Sequence, residues 1–192
     1  MNTLFPVFLK LENLHTLLVG GGNVGLEKLS AMLANSPNAR ITVVADRFLP
    51  ETLELAQNSP LVEIVERRFD FSDLQNKDLI LCATDNKELH AQIKEEARKL
   101  RILVNVADTP PLCDFYLGSI VQKGDLKIAI STNGKSPTLA KRIRAYLEEN
   151  LPAEIQNLLD NLQHFRDKLK GDFQFKIKKM NEITSSMLDK NS

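Results

Sequence analysis

Residues 15–28 read HTLLVGGGNVGLEK: an apolar run passes directly into three glycines and then into a helical pattern. Gly20, Gly22 and Gly25 stand at G-x-G-x-x-G spacing. A strand that turns so sharply into a helix has few foldable solutions. Gly20 permits the tight turn, Gly22 lets backbone approach a pyrophosphate, and Gly25 lets the helix lie against its own strand. The phosphates would rest on the helix N-terminus, where unpaired N–H groups and the helix dipole favour negative charge. Such a turn also occurs without any ligand, so the rest of the chain decides the reading.

A second strand, ARITVVAD, ends at Asp46, 21 residues beyond Gly25. An acid about 20 residues past the glycines is what ribose recognition requires. Its carboxylate can accept from both ribose hydroxyls and repels a 2′-phosphate, which favours NAD over NADP. Arg47 pulls the other way, because a guanidinium there could accommodate that phosphate. Asp46 read alone is a helix-entry or turn acid ahead of Pro50.

Beyond it, helix-like LPETLELAQN precedes the strand LVEIVERRF, and a short turn or helix at residues 71–75 precedes the strand DLILCATD. A long helix is predicted over 87–101, with Leu89, Ile93, Ala97 and Leu100 on one face, and then the strand ILVNVAD. This alternation predicts βαβ units and a parallel sheet covered on both faces, a Rossmann-like α/β fold. Ligands of such sheets bind outside the strand carboxyl ends, here the glycines, Asp46, the Ala83-Thr84-Asp85 segment and the Asn105 to Asp108 segment. Thr84 is therefore a candidate cofactor contact. Asp85 and Asn86 suit capping of the next helix. Asp108 precedes Thr109-Pro110-Pro111 and no helix, so capping does not explain it.

Lys plus Arg and Asp plus Glu number 25 each in 192 residues, which excludes a basic field over the whole protein for nucleic acid. No apolar run approaches the roughly 18 residues that span a bilayer, and the N-terminal stretch lacks a leader pattern. Cys82 sits in an apolar strand and Cys113 in a Pro-rich loop, at no metal or redox spacing. Two unpaired thiols and no membrane segment lead us to expect a cytoplasmic protein. Cys82 reads as a small buried hydrophobe. His15, His90 and His164 are scattered and read as structural or exposed.

The segment 4–11 reads as a strand or an extended packing arm. After Pro111 the pattern changes: residues 115–131 predict a hairpin turning at Gly124-Asp125. A polar loop, Ser131 to Pro137, leads to a helix with Ser136 as N-cap and Pro137 at its first position. Leu139, Ile143 and Leu147 are expected inward, with Lys141, Arg142 and Arg144 elsewhere, on a solvated face or against an anion. From Pro152 two amphipathic helices break near Gly171, and their apolar stripes need each other, the first domain or a second chain as partner. Residues from Ser185 onward are expected to fray.

The ordered set PVFLKLEN, VGGGNVGLEK, ATD, NVADTP, a hairpin and STNGKSPTLAKRIR resembles the precorrin-2 dehydrogenase and sirohydrochlorin ferrochelatase family, the dehydrogenase-chelatase module of siroheme synthase. The resemblance covers nearly the whole chain and is weakest after about Asn150. It implies NAD-dependent oxidation of precorrin-2 to sirohydrochlorin and, in bifunctional members, insertion of ferrous iron as a second substrate. It divides the chain into a Rossmann domain at 1–112, a dimerisation hairpin and helix at 113–150 and a C-terminal helical segment at 151–192. The fused methyltransferase domain of siroheme synthase is not expected. The resemblance places the family's acid on Asp108 and its dinucleotide contacts on Asn23, Val24, Asp46 and Arg47, with Asn105 at the same strand end as Asp108. It implies a homodimer.

A base for the proton that accompanies hydride removal suits Asp108 at a strand end. The polycarboxylate substrate calls for a cationic rim, for which Lys135, Lys141, Arg142 and Arg144 are candidates, with Thr132 as a hydroxyl contact. The family's loop often reads Ser-Ser-Gly-Gly, whereas this chain has Ser131-Thr132-Asn133-Gly134. No His/Cys cluster offers a standing metal site. Two other readings remain: a dinucleotide-sensing regulatory or assembly protein, which has no need of Asp108, and an NAD-dependent dehydrogenase of another small substrate, which leaves the basic C-terminal region unexplained.

Overall fold

A strand of a parallel sheet is covered on both faces, so both of its side-chain sets must be apolar. The central strands here meet that demand. The computed structural model describes residues 2–185. Strands β1 (His15–Gly21), β2 (Arg40–Phe48), β3 (Val62–Glu66), β4 (Leu79–Cys82) and β5 (Leu103–Val106) form a five-stranded sheet in the order β3-β2-β1-β4-β5. The β1–β2, β1–β4, β2–β3 and β4–β5 pairings are all parallel. Helices α1 (Asn23–Asn35), α2 (Pro50–Gln57) and α3 (Lys87–Leu100) connect them, and a 3-10 turn at Phe71–Leu74 stands between β3 and β4. Strand order reverses at β1 and β4, which opens the ligand crevice of such sheets beside the carboxyl end of β1.

The strand period of two splits the core. Leu17, Val19, Ile80 and Cys82 point to one face with Ile93 and Ala97 of α3. Leu18, Val43 and Leu81 point to the other with Leu29, Met32 and Leu33 of α1. The predicted face of α3 is corrected at both ends. Leu100 is exposed and His90 is buried. Arg101 takes a left-handed conformation, φ 60°, that closes the helix, and Ile102 turns into the core in place of Leu100. Residues 2–10 form no strand, for none of the ladders includes them, and Phe5, Val7 and Phe8 stand exposed.

The chain divides into two units, one up to Leu117 and one from Gly118. In the second, β6 (Ser119–Lys123) and β7 (Leu126–Ile130) pair antiparallel around a two-residue turn, where Gly124 has φ +55°. Helix α4 (Pro137–Asn150) packs on this hairpin. Leu139 and Ile143, expected inward, are exposed, and Ala140 is the residue that α4 buries. Its small side chain lets the helix backbone approach the hairpin, which turns the larger apolar stripe outward. Helices α5 (Ile155–Lys168) and α6 (Phe173–Thr184) pack on one another without burying any residue fully. Gln156 ties α5 to the hairpin turn by accepting from the Asp125 N–H at 2.7 Å. The segment expected to fray lies, from Ser186, outside the described residues. Among the described residues no helix is long and apolar enough to cross a membrane.

Burial lowers the pKa of both His15 and His90 below the ordinary histidine value of 6.5. For His15 desolvation is joined by the nearby cations Lys77 and Arg40, and its Nε2 lies 2.9 Å from Thr42 Oγ1. The folded state therefore favours neutral imidazoles. Their contribution is complete above pH 6.5, and below it the unfolded chain takes up protons that the fold refuses. We expect the urea midpoint to fall between pH 7.5 and 5, and His15→Asn to flatten that fall; an equal slope in wild type and variant would contradict it.

Candidate functional site: the dinucleotide crevice

At the end of β1, Gly20 takes φ +124°, and a Cβ there would lie 2.4 Å from the Ala83 carbonyl oxygen at the end of β4. A Cβ on Gly25 would lie 2.1 Å from the Gly20 carbonyl oxygen, so α1 starts against the turn it leaves. Gly22 differs: a Cβ would meet nothing within 4 Å. It is the N-cap of α1, and without a side chain it caps nothing. The first helical bond runs from Leu26 N–H to Gly22 O at 2.9 Å, which leaves the N–H groups of Asn23, Val24 and Gly25 unpaired among the described residues. Open space at Gly22 and free donors behind it fit a pyrophosphate. Asn23 is exposed and Val24 packs on the core beneath.

The strand β2 runs two residues past its expected end and carries Asp46 and Arg47, both exposed, at its carboxyl edge. Gly21 holds that edge. Its carbonyl accepts from Leu49 N–H at 3.1 Å and from the buried Thr52 hydroxyl at 3.4 Å, and a Cβ on it would lie 2.5 Å from Arg47 O. The fingerprint spacing does not use Gly21; a glycine at the unconstrained middle position of the run is its signal.

At the ends of β4 and β5, Ala83 N–H donates to Val19 O at 2.8 Å and Ala107 N–H to Cys82 O at 3.0 Å, so these strand ends share one edge with the glycine turn. Asn86 caps α3, accepting from Leu89 N–H at 2.9 Å, and Asp85 does not. Thr84 Oγ1 lies 2.8 Å from Nε2 of the buried His90, a residue that composition and spacing left among scattered histidines. Asn105 turns its amide inward, donating to Phe115 O at 2.8 Å, so this side chain anchors the following segment. Burial, with Cys113 close by, pushes the Cys82 thiol up to about 12, which makes it an inert core group.

Asp108 is exposed in the turn after β5 with φ 53°. Cys113 braces that turn from below: its Sγ accepts from Val106 N–H at 3.3 Å and lies 3.2 Å from Val106 O. Asp114 then accepts from Val104 N–H at 2.9 Å and pairs with Lys94. In the second unit, Thr132 Oγ1 accepts from Ser136 N–H at 3.2 Å, and Ser136 caps α4. Asn133, with φ 54°, and Gly134, with φ 74°, make the left-handed corner before Lys135. Asparagine tolerates that conformation, so the departure from glycine does not break the loop. Lys135, Lys141 and Arg142 are exposed, while Arg144 pairs with Glu148 at 3.5 Å. No group of three His, Cys, Asp or Glu among the described residues could hold a metal ion.

The glycines make separable predictions. Gly25→Ala should lower the melting temperature, because backbone must shift to clear the Gly20 carbonyl. Gly22→Ala should melt like wild type yet bind dinucleotide at least tenfold more weakly, as calorimetric titration would read. Equal affinities in wild type and Gly22→Ala would remove the phosphates from this turn.

Residues 7–119 match the family described as putative NAD(P)-binding, and residues 123–150 match the sirohaem biosynthesis protein central segment. The siroheme synthase of Pseudoalteromonas translucida is 40% identical over 88% of this chain and 35% of its own length. That of Psychrobacter arcticus is 41% identical over 92% of this chain and 31% of its own. The chain thus spans about a third of the length of these relatives. The solved structure of SirC, precorrin-2 dehydrogenase, superposes with a TM-score of 0.73 at 26% identity, covering 97% of this chain and 90% of that one. A family match over more than half the chain means that this protein belongs to the family described as putative NAD(P)-binding, continued here by the sirohaem biosynthesis protein central segment.

Proposed function

We propose that the protein oxidises precorrin-2 to sirohydrochlorin with NAD. The observation that carries the reading is that the glycine turn and Asp108 stand on one carboxyl edge of the sheet, in a chain similar over nearly its whole length to SirC, precorrin-2 dehydrogenase. In this reading Gly20, Gly22, Asn23, Val24 and Gly25 bind the pyrophosphate, and Asp46 accepts from the ribose hydroxyls, which selects NAD. Bound there, the dinucleotide supplies the hydride acceptor. Asp108 takes the proton that leaves with the hydride, so substrate loses two hydrogens as one hydride and one proton. Lys135, Lys141 and Arg142 bind substrate carboxylates. Arg144 joins them only by leaving Glu148. The fit of Asp108 rests on its exposure, which lets it meet substrate and exchange its proton with water.

The homodimer reading is supported by α4, whose outward stripe includes Leu139 at 50% and Tyr146 at 64% exposure, with Ile143 between them. Such a stripe on one helix is the surface that association covers. Free thiols at Cys82 and Cys113 suit a reducing cytoplasm.

The assay is anaerobic: protein, precorrin-2 and NAD are mixed and the absorbance of sirohydrochlorin is followed. No turnover by folded protein would sink the proposal. Adding ferrous iron to sirohydrochlorin, against a no-protein control, tests iron insertion. Asp108→Asn keeps the left-handed turn and should retain NAD affinity while turnover drops by roughly 10²–10⁴-fold; unchanged turnover would take Asp108 out of its role. Wild type should sediment as a dimer and Ile143→Glu as a folded monomer, and a dimeric variant would move the interface elsewhere.

A further inference from the structure

His90 is 3% exposed, and among the described residues its Nδ1 is buried without a hydrogen-bond partner. Its other nitrogen, Nε2, lies 2.8 Å from Thr84 Oγ1. Burial holds the ring neutral at pH 7.5, with Asp85 opposing only in part, so one nitrogen carries a hydrogen and the other a lone pair. A hydrogen on Nδ1 would be a buried N–H with no acceptor, the rarest kind of orphan in folded proteins. A hydrogen on Nε2 is used at once on Thr84. The Nε2–H form is therefore the one this pocket selects.

That choice fixes Thr84. A hydroxyl has two acceptor sites and one hydrogen. Thr84 Oγ1 accepts from His90 Nε2–H, and it accepts again from Asn86 N–H at 3.3 Å. Only its hydrogen is left, and it has no acceptor among the described residues. Thr84 sits half-buried at the carboxyl end of β4, with Cγ2 3.2 Å from the point a Cβ on Gly20 would occupy. Thr84 thus stands beside the phosphate turn with its methyl group nearest Gly20, and the hydroxyl on the same Cβ keeps an unpaired hydrogen for the phosphate and ribose oxygens that a dinucleotide would bring there.

We propose that His90 is a positioning residue of the cofactor site: by donating from Nε2 it fills the Thr84 hydroxyl's last acceptor site and turns Thr84 into an obligate donor to the bound dinucleotide. The inference rests on the NAD reading above. A leucine would fill the same space without orienting the hydroxyl, which separates this role from a packing role.

The test is a double-mutant cycle on the NAD Kd, read by isothermal titration calorimetry with the melting temperature of each variant alongside. Thr84→Val should weaken NAD binding about tenfold, the loss of one hydrogen bond. His90→Leu should weaken it several-fold, and the double variant should bind no more weakly than Thr84→Val alone. His90→Gln, which keeps an N–H donor, should recover most of the affinity and guards against a leucine variant that does not fold. Long-range 15N–1H spectra should show Nδ1 as the unprotonated nitrogen in wild type. Additive penalties, an unaffected Thr84→Val or a protonated Nδ1 would overturn the proposal while leaving NAD binding intact. Wild type that does not bind NAD would overturn both readings.

Discussion

Room for no side chain at all exists between Gly25 of α1 and the carbonyl of Gly20, and the rest of the site depends on that contact. With the helix starting so close to the turn, its unpaired N–H groups stand beside the open space at Gly22. The same turn presses Gly20 on Ala83, so the ends of β1 and β4 cannot separate without breaking it. Thr84 follows Ala83 directly. The position of Thr84 is in this way set by Gly20 at the end of β1 and Gly25 in the first turn of α1.

Gly21 extends the constraint sideways. Its carbonyl receives both Leu49 N–H and the Thr52 hydroxyl, so the passage from β2 into α2 is tied to the glycine turn and not only to the sheet ladder. The register of β1 on β2 shifts between Val19 and Gly21, where regular pairing gives way to this knot. Asp46 and Arg47 lie on the strand end it secures. A chain that needs both a phosphate cradle and a ribose acid gets the second fixed by the backbone of the first.

Much of this was legible because it follows from local rules. Apolar runs without alternation announce a parallel sheet, Gly20, Gly22 and Gly25 announce the turn, and Ser136 before Pro137 announces the start of α4; all are decided by residues within one turn of one another. What was not legible depends on contacts far apart in the chain. Leu100 and Ile102 are equally apolar, and only the left-handed residue between them decides which enters the core. Leu139 and Ile143 have the spacing of a buried face, but whether α4 lays that face or Ala140 on the hairpin depends on how closely the backbones approach. His90 gave no sign of its role, since the partner that defines it, Thr84, lies on a strand end and matters through an atom with nothing to bind.

Asp108 poses the sharpest energetic question. A left-handed conformation costs an ordinary L-residue roughly 1–2 kcal/mol, less for Asp and Asn, and nothing for Gly. Three other non-glycine residues adopt positive φ among those described, and each has a local reason: Arg101 closes a helix, while Asn76 and Asn133 are of the type that tolerates it. At Asp108 glycine would make the turn at least as well. The aspartate side chain is exposed and holds no hydrogen bond among the described residues, while Thr109 and Cys113 already brace the turn through their own contacts. It adds nothing visible to stability and makes the turn harder to form. A carboxylate at such a position, on the edge it shares with the glycine turn, is best explained by the role we propose for it toward a ligand.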